Sequence, residues 1–268
     1  MKILIIGGGN MGQTYAQSFL AAKIIEPENL TILEHLEEKV AMLKAKGFDN
    51  VITDPGAYVS DVDLVVLAVK PQDIPSLFPR IRSYIKPDQL MLSIMAGITI
   101  ETIRQGLNTP KVVRAMPNMP AQIGMGMTAY TSAAEVSRIE LITVQNLLNT
   151  TGKSVYFEEE RMIDAATAAS GSGPAYVFYF MDAMTDAAVD LGFSPAEAEL
   201  FVWQTFLGAI NLHKKNNLSS KEWIQRVASR GGTTEAAIKA FEAGQLNPTI
   251  QAGMKAAFER AVELSKMK

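Results

Sequence analysis

The chain has 268 residues, 48% hydrophobic and 20% charged, enough apolar material for one large domain or two ordinary ones. Its net charge of −3 excludes the basic stripe that nucleic-acid binding needs, and its lack of cysteine excludes disulfide frameworks, thiolate zinc sites and thiol nucleophiles. With only His35 and His213, far apart in the chain, no metal site is expected.

The chain begins directly in a strand-like apolar run, without a basic region or cleavage site, and runs such as LVVLAV are too short to cross a bilayer. The expected compartment is therefore the cytoplasm, with no membrane partner. KILIIG reads as a short branched strand. NMGQTYAQSFLAAK follows with helical spacing, with Met11, Tyr15 and Phe19 on one face. LTILE is a second strand and EEKVAMLKAKG a second helix. VDLVVLAVK carries the strongest buried-strand pattern, LMLSIMAG and KVVRAMPN are further strands, and KSVYFEEE is the last. Apolar strands alternating with helices predict an α/β fold with a parallel sheet covered on both faces.

After Glu160 the pattern becomes helical and rich in alanine. No lysine or arginine occurs between Arg161 and Lys214, while Asp182, Asp186 and Asp190 step along one helix face. Helices so poor in charge-balanced surface are expected to pack on other helices, including those of a second subunit. Pro174 suits the first turn of a helix, SPAEAE from Ser194 has a cap followed by proline, and SSKE from Ser219 is a capping box. The expected division is 1–157 and 158–268.

Gly7, Gly9 and Gly12 form G-x-G-x-x-G after a strand and at the opening of a helix. That is the context in which glycines allow a tight turn, close approach of a pyrophosphate, and close packing of helix on strand. Ile6, Asn10 and Met11 complete this candidate cradle. A carboxylate is expected roughly 20 positions on, where it accepts from a ribose diol and repels a 2′-phosphate. Glu34 fills that place, so NADH is expected to be favoured over NADPH; Glu34 also suits the start of the next helix. Ala68, Val69, Lys70 and Pro71 end the third buried strand, where ligands of open parallel sheets bind. Lys70 is placed either near coenzyme phosphate or in solvent before a helix. Ala96, in SIMAG, is small enough to let a nicotinamide ring approach. Asn118 is either a carboxamide or water partner or a turn residue.

IGGGNMG, VLAVKP, SIMAG, RAMPNMP, DAATAASGSGPAYVF and ASRGGTTEAA together resemble, in order and spacing, the pyrroline-5-carboxylate reductase family across essentially the whole chain. SGSGPAYVF and GGTT carry far more specificity than the glycine fingerprint. The resemblance implies a Rossmann-type dinucleotide-binding domain followed by an all-helical domain that forms an intertwined dimer, itself able to assemble further. It implies NAD(P)H as coenzyme, and a five-membered cyclic imine carboxylate as the substrate reduced to proline.

Taken alone, RGGTTEAA is a plain turn between helices. Under the resemblance it is the substrate loop. Gly231 and Gly232 fold the backbone so that amides face the substrate carboxylate, and Thr233 and Thr234 add hydroxyls. Ser229 helps close the pocket. Thr234 matches the family residue beside the ring nitrogen, which implies that it orients that nitrogen and takes part in proton transfer. Three positions depart from the usual family pattern: Arg230 stands where proline is usual, Glu34 where many members carry a phosphate-tolerant residue, and Asp54 where some carry asparagine. A reductase of another imine or small acid, and a non-catalytic NAD-binding regulator, are the competing readings.

Overall fold

A computed structural model describes residues 1–266. Its centre is one eight-stranded sheet in the order β3-β2-β1-β4-β5-β6-β7-β8. These strands are β1 (Ile3–Ile6), β2 (Leu30–Leu33), β3 (Val51–Ile52), β4 (Leu64–Leu67), β5 (Leu90–Ser93), β6 (Val112–Met116), β7 (Gly126–Ser132) and β8 (Gly152–Tyr156). β1 lies between β2 and β4, with Ile3 opposite both Leu30 and Leu64. All four β1 side chains are at most 2% exposed, as expected for a central parallel strand covered on both faces. Each such side chain contributes about 2 kcal/mol of burial.

The first helices follow the expected pattern. α1 (Asn10–Ala21) buries Tyr15 and Phe19, and α2 (Glu37–Ala45) buries Leu43. α3 (Ile74–Ile81), α4 (Ile100–Leu107) and α5 (Arg138–Asn149) lie between consecutive strands of the sheet. The parallel expectation holds from β1 to β6. β7 then runs antiparallel to β6, and β8 pairs parallel with β7. β7 and the two-residue β3 have no counterpart in the strands predicted from sequence. The GMTAYTS of β7 mixes glycine and threonine into its pattern, and β3 is too short to show any period.

The chain separates into two compact units. One is Met1–Pro174 with the C-terminal residues from Ala257, and the other is Ala175–Ala256. The sheet unit thus runs past the boundary expected at residue 158 and recovers the end of the chain. Arg114, in the middle of β6, is 1% exposed. Its guanidinium donates to Glu160 Oε1 at 3.0 Å and Asp164 Oδ1 at 2.6 Å. Asp164 lies in α6 (Arg161–Ala166), and Ser265, in α11 (Leu246–Lys266), donates to the same Asp164 oxygen at 2.9 Å. An unpaired buried guanidinium is costly, so these partners belong to the sheet's core.

The second unit is helical: α7 (Gly173–Asp190) from Ala175 onward, α8 (Pro195–Lys214), α9 (Ser220–Val227), α10 (Thr233–Ala243) and the first part of α11. The expected caps are present. Ser194 and Ser219 accept from Glu197 and Glu222 amides, and each glutamate side chain accepts from its serine amide. α7, α9 and α10 bury no residue within the single chain. Phe178, Tyr179, Leu200 and Trp203 are each at least 50% exposed. Among the described residues no helix is long and apolar enough to cross a membrane.

Candidate functional site

A cleft of about 320 Å³ opens at the carboxyl ends of β1, β2 and β4. Its wall includes Ile6, Gly7, Gly9, Glu34, Ala68, Val69 and Lys70, seven of the residues picked out from sequence. Pro71 directly follows Lys70 and opens a 3₁₀ turn. Asn10, Met11 and Gly12 form the first turn of α1. Ala96 lies past the end of β5 and Asn118 past the end of β6, both outside the cleft wall.

Gly7 has φ +106°, and a Cβ there would come within 2.7 Å of the Ala68 carbonyl oxygen. A Cβ on Gly12 would lie 2.0 Å from the Gly7 oxygen, so α1 sits on β1 as closely as backbones allow. At Gly9 a Cβ would meet nothing within 4 Å. The middle glycine therefore faces open space while its two neighbours are locked, and no side chain caps α1 at Gly9. First-turn amides without intrahelical acceptors, at the positive end of the helix dipole, suit a pyrophosphate. The residues present fit a dinucleotide.

Glu34 is 4% exposed. Its Oε2 accepts from the Gly8 amide at 3.0 Å and its Oε1 from the Leu36 amide at 3.1 Å. Lys39 Nζ is 3.8 Å from Oε2. Lys39 and His35 also stand on the cleft wall, as does Arg80, whose guanidinium donates to Asp54 Oδ1 at 2.8 Å. The sequence reading left Lys39 and Arg80 out of the site, because helix-borne cations distant in sequence carry no local motif. The Tyr58 hydroxyl donates to the Asp54 carbonyl. Burial, with the Asp54 charge adding to it, pushes the Tyr58 hydroxyl up to about 12.

Asn118 Nδ2 donates to both the carbonyl and the hydroxyl of Ser170 at 3.2 Å, and its Oδ1 accepts from the Met127 amide at 2.9 Å. Ser170 belongs to a π-helical turn, Thr167–Gly171. The amide side chain thus ties the end of β6 to β7 and to this turn. Beyond β5, Gly97 has φ +71°, and a Cβ there would come within 2.8 Å of Leu264.

In the helical unit, Ala228 to Gly232 form the loop between α9 and α10, and Thr233 and Thr234 open α10. Gly231 has φ +75°, which favours glycine. Its amide donates to Glu235 Oε2 at 2.6 Å, and the Gly232 amide donates to the Ser229 carbonyl at 3.0 Å. Both glycine amides, expected to face a ligand, are thus engaged inside the loop. The Gly231 amide, followed by Lys239, holds the Glu235 carboxyl below its ordinary value. Gly232 is the N-cap of α10 with no side-chain cap, so Thr233, Thr234 and Glu235 supply the first-turn amides. A Cβ on Gly232 would meet Ser229 Oγ at 2.7 Å, so Ser229 closes over this position.

The parallel sheet, the glycine turn and the cleft beyond the strand ends define a Rossmann-type dinucleotide-binding protein. Residues 2–97 match the family model described as NADP oxidoreductase coenzyme F420-dependent, and residues 160–264 match pyrroline-5-carboxylate reductase dimerisation. The chain is 36% identical to the pyrroline-5-carboxylate reductase of Pseudomonas aeruginosa, over 99% of its own length and 97% of the relative's. Among solved structures it is similar to the pyrroline-5-carboxylate reductase of Coxiella burnetii, with 32% identity, 99% of each chain covered and a TM-score of 0.89. The Plasmodium falciparum pyrroline carboxylate reductase with NADP bound also gives a TM-score of 0.89, at 27% identity, covering 99% of this chain and 98% of that one. The chain belongs to the pyrroline-5-carboxylate reductase family.

Proposed function

We propose that the protein reduces 1-pyrroline-5-carboxylate to L-proline with NAD(P)H, the last step of proline biosynthesis. The observation that carries this is the open glycine cradle at Gly9 in a chain that matches reductases of this name from end to end. The bound coenzyme supplies a hydride for the imine carbon, and the ring nitrogen gains a proton.

The chain's own task is to position and to stabilise charge. The turn from Gly7 to Gly12 holds the pyrophosphate. Ala96 leaves room for the nicotinamide ring, and Lys70 lies toward the ribose and phosphates. Asn118 shapes the loop beyond β6 through Ser170 and Met127. The amides of Thr233 and Thr234, at the positive end of α10, hold the substrate carboxylate, with Gly231, Gly232 and Ser229 shaping the loop around it. Thr234 Oγ orients the ring nitrogen and takes part in its protonation. By role the chain divides near residue 158, with coenzyme held before it, and substrate and a second copy of the chain after it. The exposed aromatic and aliphatic side chains of α7 and α8 support a homodimer or larger homo-oligomer. The cytoplasm is the compartment that goes with this reading.

NADH is the favoured coenzyme in this reading, because the Glu34 charge opposes a 2′-phosphate. Each Glu34 oxygen holds one amide and keeps lone-pair capacity for a ribose hydroxyl. The test is steady-state oxidation of NADH and of NADPH with the cyclic imine. The native chain turns over with both and prefers NADH, and Glu34→Ser shifts the ratio toward NADPH. An unchanged ratio removes Glu34 as the discriminator. No turnover with intact NADH binding favours a regulatory protein.

A further inference from the structure

Gly8 is held through both of its flanking peptide groups. Its N–H donates to Glu34 Oε2 at 3.0 Å, and its carbonyl accepts from Gln13 Nε2 at 2.7 Å. Gln13 Oε1 in turn accepts from Lys46 Nζ at 2.6 Å. Gln13 is 7% exposed, in a part of α1 where a buried amide is costly unless both its ends are paired. Its orientation follows from its partners: only the amide nitrogen donates to a carbonyl, and only the amide oxygen accepts from an ammonium. Leu43 closes the remaining side, since a Cβ on Gly8 would come within 2.5 Å of its Cδ1. Neither Gln13 nor Lys46 lies on the cleft wall.

A turn with three consecutive glycines has many conformations when it is not held, and ordering it on binding subtracts from affinity. Gly8 stands between the locked Gly7 and the open Gly9. The Gly8 carbonyl shares one peptide plane with the Gly9 N–H, so holding that carbonyl sets the direction in which the Gly9 amide points. We propose that Gln13 and Lys46 are positioning residues for the coenzyme's pyrophosphate: they act through the Gly8 carbonyl to preform the cradle and touch no ligand themselves. This rests on the coenzyme reading of the cleft. Pyrophosphate is common to NADH and NADPH, so the clamp serves both alike. Glu34, which grips the other side of Gly8 from the cleft wall, is the residue that separates them.

The test uses the full chain, with direct titration of NADH and NADPH by nicotinamide fluorescence alongside steady-state kinetics and thermal melting. Gln13→Glu keeps the size of the side chain and an acceptor for Lys46, and loses the donor to Gly8. Kd and KM for both coenzymes rise together about 10-fold, the equivalent of ~1.4 kcal/mol, while kcat at saturation moves less than twofold. Lys46→Met, at the exposed end of the clamp, shifts both constants in the same direction by a smaller factor, and it decides the matter if Gln13→Glu does not fold. Unchanged Kd values for both variants overturn the inference. So does a loss of kcat that tracks a fall in melting temperature with coenzyme affinity intact, because that marks a merely structural role. Failure of the native chain to bind either coenzyme overturns the coenzyme reading, and the inference with it.

Discussion

Arg114 Nη2 donates to Asp164 Oδ1 at 2.6 Å, joining the middle of β6 to α6 across fifty residues of sequence. Glu160 takes the other nitrogen and also accepts from the Ile100 amide at the start of α4. Ser265 brings α11 to the same Asp164 oxygen. Three helices are thereby pinned to one buried cation. Removing one anion leaves that charge undercompensated, so Asp164→Ala is expected to cost about 3 kcal/mol in urea unfolding. Replacing both members with apolar residues, Arg114→Met with Asp164→Leu, should cost less than the single change. A single-variant loss under ~1 kcal/mol would mean that Glu160 alone suffices.

The glycines of the cradle separate by what surrounds them. Gly12→Ala puts a Cβ 2.0 Å from the Gly7 oxygen, so α1 must move off β1. The expected cost is about 1–3 kcal/mol of stability together with most coenzyme affinity. Gly9→Ala meets nothing, and its φ of −72° suits alanine. Melting temperature should stay near native while coenzyme Kd rises, because the added methyl occupies ligand space. If Gly9→Ala binds NADH and NADPH as tightly as the native chain, Gly9 does not face the pyrophosphate.

At the other end of the chemistry, Thr234→Ala is expected to lower kcat for the cyclic imine roughly 10²-fold with little change in melting temperature or coenzyme Kd. Gly231→Ala acts differently. At φ +75° a Cβ costs about 1–2 kcal/mol, and the loop it distorts should raise the imine KM more than it lowers kcat. Kinetics that leave both constants unchanged for Thr234→Ala would remove it from the reaction.

Three helices, α5, α8 and α9, each open with the same kind of acid-sensitive cap, at Ser137 and Glu140, Ser194 and Glu197, and Ser219 and Glu222. Burial pushes the Glu140 carboxyl up, but hydrogen bonds from Lys111 and Ser137 outweigh it and hold the group below its ordinary 4.5. Hydrogen bonds from Ser194 and Ser219 do the same for Glu197 and Glu222. A carboxyl depressed in the folded state binds its proton more readily once unfolded. Its stabilising contribution is therefore complete above pH 4.5 and is lost as pH falls through the folded value. Stability followed by thermal melting should fall below pH 4.5, with a shallower fall in Ser137→Ala, which itself costs about 1 kcal/mol at neutral pH. An identical acid limb in native and variant chains would show that the cap is not the titrating element.

Much of this protein is legible locally. A run of branched apolar residues is a covered strand wherever it folds, and KILIIG, LTILE, LVVLAV and LMLSI each became one. A serine three residues before a glutamate caps a helix by contacts within one turn, which is why SPAEAE and SSKE needed nothing else. Gly7, Gly9 and Gly12 declare a cradle because their spacing matches one tight turn.

What escaped prediction depends on partners far away in sequence. Glu34 was assigned to a ribose on position alone, but its grip on the Gly8 amide exists only once β2 lies beside β1. Gln13 and Lys46 look like ordinary helix-surface residues until the end of α2 brings Lys46 to Gln13 on α1. Arg114 sits in a strand that reads as apolar; its counterions come from beyond β8, and the serine that joins them comes from near the end of the chain. Periodicity and capping follow from backbone geometry over a few residues, so they are written in order along the sequence. Which buried charge meets which, and which amide is already engaged, is settled by long-range pairing of the whole chain. Tertiary structure alone therefore decided how the cradle is held and where the sheet's core ends.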